Sequence, residues 1–132
     1  MNDLEEYVDL EILSLFAKGA GVGIEGLGEI LEENGELVKE RYRSKTYSEA
    51  LALIKRSKEH RHPFTEVYHV ISDAGVVYLN DVKKEVRKGD VLPIPSGTWH
   101  YAENVALVVA CTPGYDPTRV EYRDRLKDSL SS

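Results

Sequence analysis

Glutamine is missing from this chain, and methionine, cysteine and tryptophan each occur once. With Cys111 as its one cysteine, the chain can form no intramolecular disulfide and no multi-cysteine zinc framework. Cys111 lies in the apolar run VALVVACTP, which gives it a buried packing role. Excess positive charge is also missing: 17 Lys and Arg against 23 Asp and Glu leave a net charge of −6. Nucleic acid, whose phosphates need clustered cations, is therefore not an expected partner. The one basic run, KERYRSK at 39–45, reads as a solvated strand face. No apolar run reaches the roughly 18 residues of a membrane span, and the first residues are acidic where a secretory leader would be basic. The expectation is a cytoplasmic protein that does not contact membrane. Scarce thermolabile residues and 30% charged residues also suggest a thermophilic source. A melting temperature near about 50 °C would count against that source.

At 132 residues the length suits one domain, large enough to fold without covalent staples. Asp3 can cap a helix in which Leu4, Val8, Ile12 and Leu15 repeat at helical spacing up to Gly19. The G-x-G-x-x-G string at 21–26 lacks the context of a dinucleotide-binding turn. A helical pattern precedes it, and Thr46 and Tyr47 stand where the ribose-reading acid belongs. From residue 36 the texture changes to short runs rich in Val, Tyr, Ile and Thr, separated by turn signals such as DAG (73–75) and KGD (88–90). That pattern predicts an all-β sandwich or barrel. Asp116 followed by Pro117 predicts the start of a C-terminal helix, with Val120, Leu126 and Leu130 available to dock it. The expected division is an N-terminal helical, Gly-rich extension over 1–35, a barrel over 36–115, and a C-terminal helix and tail over 116–132.

Histidines are few but concentrated: three of four lie in EHRHPFTEVYH, 59–69. Strand side chains alternate faces, so His60, His62 and Glu66 share one face, and His69 points the other way as a partly buried structural residue. Two imidazoles and a carboxylate on one face form a facial ligand set, and His100 can complete it from another strand. By the same alternation Tyr68 joins the face of Glu66. Trp99 and Tyr101 turn away from that of His100, toward the outside or a subunit contact. Arg41, Arg43 and Lys45 share a face that can anchor a phosphate, although a solvated face is the simpler reading of them.

GDVLPIPSGTWHYAEN (89–104) has the spacing G-x5-P-x-G-x2-H-x3-N through Gly89, Pro95, Gly97, His100 and Asn104. This resembles the second motif of the cupin superfamily, and His60-x-His62-x3-Glu66 resembles the first. Asp73 stands where the family usually has a glycine, and no glycine precedes His60 at the usual distance; both departures concern turns and leave the ligands intact. The resemblance covers roughly residues 45–113. It implies a jelly-roll β-barrel holding one divalent transition metal (Mn, Fe, Ni, Cu or Zn) on His60, His62, Glu66 and His100. It also implies a small-molecule substrate or ligand and a homodimer, which size-exclusion with light scattering would check. Cupins of this kind include sugar isomerases and epimerases, dioxygenases and decarboxylases, so the expectation is a metalloenzyme for a small oxygenated metabolite. Glu66 would be ligand and proton shuttle, and Tyr68 a hydrogen-bond donor. A non-catalytic, metal-loaded ligand-binding or sensor protein is the alternative. Gly97 is expected to take a positive φ before His100, and Asn104 to tie the backbone.

Overall fold

The computed structural model describes residues 31–33 and 36–123. The helix and Gly-rich turn expected before residue 31, and any helix beyond 123, lie outside the described residues. Ten strands follow in chain order: β1 Leu31–Glu33, β2 Glu36–Arg43, β3 Ser48–Arg56, β4 His60–Arg61, β5 Thr65–Val70, β6 Gly75–Leu79, β7 Val82–Val86, β8 Val91–Ile94, β9 His100–Thr112 and β10 Glu121–Tyr122. All pairings are antiparallel, as an all-β barrel built from short strands requires.

β9 organises the sheet. Its first four residues pair with β6, its length from Glu103 to Cys111 pairs with β3, and Leu107 to Thr112 pair with β5. One 13-residue strand therefore touches three long neighbours and bends the sheet around a core. The bend lies near Asn104, which takes φ +50 and is exposed, so its role is in the backbone. The core holds Ala52 and Ile54 of β3, Tyr68 and Val70 of β5, Val77 of β6, Ile94 of β8, and Ala102, Val105 and Leu107 of β9. These positions alternate along β3 and β5, as a half-buried sheet demands, and the positive-φ Asn104 between Ala102 and Val105 shifts the alternation in β9.

Turn chemistry accounts for the remaining geometry. Asn80 and Asp81 take φ 45 and 73 between β6 and β7, the left-handed pair that closes a tight hairpin. Gly97 takes φ +80, as expected, just before His100. Pro93 lies in β8, which pairs with β5 alone among the described strands, so the missing proline N–H interrupts no ladder.

Four expectations need correction. Residues 60–66 are not one strand: Pro63 and Phe64 break it, leaving β4 and β5 with different partners. His69 is exposed. In β2 a bulge between Glu40 and Tyr42 leaves Arg41 out of register, so Arg41 and Arg43 do not share a face, and Lys45 lies beyond the strand. At Asp116 the cap forms, with Oδ1 accepting from the Thr118 N–H at 3.0 Å, but only the 3₁₀ turn Pro117–Arg119 follows. The chain then becomes β10, which pairs antiparallel with β4.

Candidate metal centre

Three strands and a turn bring the four predicted ligands together. His60 on β4 lies in register with His100 on β9. His62 follows β4 into the Pro63–Phe64 break, where its ring stacks on Phe64 at 4.0 Å between centroids. Glu66 enters from β5. One ligand atom from each of His60, His62, Glu66 and His100 lies within 4.8 Å of every other, so this group can hold a metal ion. His62, Glu66 and His100 are buried at 3%, 5% and 0% exposure, and His60 is half-buried.

The outer ring nitrogens establish what the inner ones are. His60 Nδ1 lies 2.7 Å from the Lys58 carbonyl, His62 Nδ1 2.9 Å from that of Phe64, and His100 Nδ1 2.8 Å from that of Thr98. A carbonyl oxygen only accepts, so each Nδ1 carries the proton and each neutral ring keeps its lone pair on Nε2. Such outer hydrogen bonds fix the tautomer and orientation of metal-binding histidines.

In the neutral rings the inner atoms are then all acceptors, so the 3.0 Å hydrogen bond between His100 Nε2 and Glu66 Oε1 requires a proton between them. Glu66 Oε1 lies 3.0 Å from His100 Nε2 and 3.2 Å from His62 Nε2. The His62 contact is out of line for a hydrogen bond, and this buried nitrogen has no other partner among the described residues. Lone pairs facing a carboxylate at such distances repel unless a cation lies among them, whether a proton or a metal. The charge balance agrees. Burial works against ionisation of Glu66, but His100 and His62 outweigh it and hold the carboxyl well below its usual range. Burial pulls the His62 pKa down and the Glu66 carboxylate more than restores it, leaving it raised. His60, desolvated and beside His100, falls to about 4 and so stays a neutral donor. An ionised carboxylate facing imidazole nitrogens suits a divalent transition ion.

A cupin-domain family model matches residues 54–111, the stretch from the end of β3 to Cys111 that carries all four residues. This stretch of the chain is a cupin domain. Solved structures share the fold. Pac13 of Streptomyces, described as a nucleoside dehydratase, superposes with TM-score 0.65 at 19% identity, covering 72% of this chain and 83% of that one. KdgF from Halomonas gives 0.59 at 21% identity, covering 68% and 90%. An RmlC-like cupin from Shewanella frigidimarina gives 0.61 at 18%, covering 68% and 87%. No curated protein matches the sequence.

In this cupin a cavity of about 270 Å³ opens on His60 and Glu66. Tyr68 lines it from the core, 3% exposed, its pKa held well above the ordinary value by burial and then by Glu66. The β2 bulge explains the other end. Glu36, Val38 and Glu40 line the cavity at alternate positions, and the extra residue then shifts the parity so that Arg43 lines it too. Arg43 is bound there to Glu40 at 2.6 Å and to the Tyr115 carbonyl at 2.6 Å.

Three features escaped the sequence reading. Cys111 is buried as expected, yet it lines the cavity and its Sγ lies 3.5 Å from Glu66 Oε2. Tyr122, on β10 beside β4, reaches the cavity with its ring 5.8 Å from that of His60. Trp99 is packed within the chain, with the Arg61 and Arg123 guanidinium groups 4.6 and 4.2 Å from its ring, while Tyr101 stacks on Tyr78 at 4.4 Å. Glutamate partners near each arginine, Glu121 for Arg61 and Glu59 for Arg123, were the signal that sequence order hides.

Proposed function

We propose that this cupin is a metal-dependent enzyme acting on a small oxygenated molecule, with Mn, Fe, Ni, Cu or Zn held by His60, His62, Glu66 and His100. The observation that carries the reading is the convergence of buried acceptor atoms, with every outer imidazole nitrogen already committed to a carbonyl. When bound, a divalent ion would supply Lewis acidity toward a substrate hydroxyl or carbonyl oxygen.

The protein's own groups supply the rest. The cavity brings substrate to the His60 and Glu66 side of the centre, since His62 and His100 do not line it. Glu66, ionised and facing the cavity, accepts a proton from carbon or hydroxyl. Tyr68, kept protonated, donates a hydrogen bond to substrate oxygen. Apolar walls from Val38, Ala50, Ala52 and Val109 limit water around the reacting atoms. Proton transfer of this kind serves isomerisation, epimerisation or elimination of water from a hydroxylated substrate. Pac13, a nucleoside dehydratase of the same fold, supports that class. Dioxygenation and decarboxylation remain within the same ligand chemistry. A non-catalytic binding barrel calls for an apolar lining at the ion, whereas titratable groups, Tyr68 and Lys58 among them, surround this one.

The test is elemental analysis of protein purified without tag or chelator, then proton–deuterium exchange on a panel of hydroxy acids, sugars and nucleosides followed by NMR. About one equivalent of metal, and exchange abolished by Glu66→Gln, is the expected result. No metal in the wild type or after reconstitution overturns the reading.

A further inference from the structure

Ser48, Cys111 and Glu66 form a row across three adjacent strands. Cys111 on β9 is the register partner of Ser48 on β3 on one side and of Glu66 on β5 on the other. Directly paired residues in an antiparallel sheet project to the same side, so the three side chains meet. All three are buried, at 4%, 2% and 5% exposure, and all three line the cavity.

Hydrogen bonds give the row a direction. Ser48 Oγ accepts from the Tyr115 N–H at 2.8 Å, which leaves the hydroxyl proton to be donated elsewhere. Cys111 is its neighbour, and Cys111 Sγ in turn donates to Glu66 Oε2 at 3.5 Å. The other carboxylate oxygen, Oε1, is the one facing His62 and His100. The two oxygens of Glu66 thus have separate tasks, one turned to the imidazoles and the other held by a thiol.

We infer that Cys111, backed by Ser48, is a positioning residue that fixes the rotation of the Glu66 carboxylate, so that Oε1 is presented to the metal site and Oε2 faces the cavity. The inference rests on the metal reading for its consequence, but the thiol–carboxylate bond is independent of any ion. An ionised carboxylate oxygen only accepts, so sulfur carries the proton in this contact. A thiol is a weak donor. It orients Oε2 without holding it as firmly as a hydroxyl or ammonium would, which leaves that oxygen able to take a proton from substrate. Because Ser48 Oγ answers to the backbone at Tyr115, the row also links the carboxylate to the segment after β9.

The single cysteine gives the test a clean signal: every S–H stretch in the infrared spectrum belongs to Cys111. In metal-free wild type the band is expected at lower frequency than in a free thiol, and Glu66→Gln is expected to shift it upward. A band at the free-thiol position, or one that Glu66→Gln does not move, overturns the proposal. The second arm measures divalent-ion affinity and the EPR spectrum of Mn(II)-loaded protein in Cys111→Ala, Cys111→Ser and Ser48→Ala. Cys111→Ala is expected to raise the Kd about tenfold and alter the spectrum, as loss of an outer partner to a ligand does. Cys111→Ser is expected to restore both to within about twofold of wild type, because a hydroxyl keeps the donor. Unchanged affinity and spectrum in Cys111→Ala, or failure of serine to rescue, reduces Cys111 to packing and overturns the proposal. Wild type that takes no metal defeats the proposed function instead, and the infrared arm still decides the Cys111–Glu66 bond.

Discussion

His60 and His100 lie directly opposite each other on β4 and β9, their rings 4.2 Å apart. The pairing is notable because β4 is only two residues long and is held on its other side by an equally short strand, β10. One half of the metal centre therefore rests on a marginal piece of sheet, and the other half on the buried middle of the barrel.

That asymmetry predicts unequal losses. His100→Ala removes a fully buried ring that balances Glu66, and should destabilise metal-free protein by about 2–3 kcal/mol as well as abolish metal binding. His60→Ala removes a half-buried ring with no ion pair among the described residues and should weaken metal binding at a cost below about 1 kcal/mol in stability. Urea denaturation of chelated protein and metal content after dialysis check both. Equal destabilisation by the two variants would contradict the asymmetry.

Acid should act on metal-free protein through His60. Its pKa falls from 6.5 unfolded to about 4 folded, so between those values the unfolded chain holds a proton that the folded chain lacks. Its contribution is complete above 6.5 and is lost as pH falls toward 4. His62 works in the opposite sense: its pKa is raised, so its contribution is complete below the ordinary value and fades as pH climbs through the raised one. His60→Gln should therefore flatten the acid limb of the stability–pH curve, by about 2 kcal/mol, and leave the alkaline side unchanged. Denaturation midpoints across that range provide the check.

Tyr68→Phe separates chemistry from metal binding. The hydroxyl lines the cavity beside Glu66, and Tyr68 is outside the group that can hold the ion. Metal content should stay at wild-type level while turnover falls about a hundredfold or more, if the tyrosine donates to the reacting oxygen. Unaltered turnover would assign the ring to core packing alone.

The metal group was legible because ligation tolerates few residue types, so His60, His62, Glu66 and His100 stand out in any register. Their convergence does not come from alternation along one strand, since Pro63 and Phe64 interrupt it and β4 and β5 reach the centre separately. The strands with Val- and Leu-rich alternation were legible for the same kind of reason: the core selects one face. What stayed hidden depends on which strands become neighbours. Nothing local marks Ser48 and Cys111 as partners of Glu66, 45 residues from Cys111; register alone does so. The Arg41 bulge shifts Arg43 to the cavity by a single unpaired residue, a change no periodicity reveals. β10, at two residues, is too short to leave a pattern, and the Asp116–Pro117 cap is the same whether a helix or one turn follows.

The segment carrying β10 also offers the most local prediction. Besides its pairing with β4 and the Arg61–Glu121 ion pair, it is held by the Arg61 and Arg123 guanidinium groups over Trp99 and by the Arg123–Glu59 pair at 2.7 Å, with the Arg123 N–H donating to the Glu59 carbonyl at 3.0 Å. Each cation–π contact contributes about 0.5–1 kcal/mol, so Trp99→Ala should weaken the segment locally by about 1–2 kcal/mol. Global stability should change little, because β3, β5 and β9 bury the core without it. Amide hydrogen exchange should therefore speed up by about tenfold at Tyr122 and Arg123 while β9 keeps its protection. The consequence for the centre follows from Tyr122, whose ring stands beside His60 at the cavity wall. Freed from Trp99, that wall opens, and KM for whatever substrate the cavity takes should rise with kcat nearly constant. A fall in kcat with KM unchanged would place β10 in the chemistry and not at its entrance.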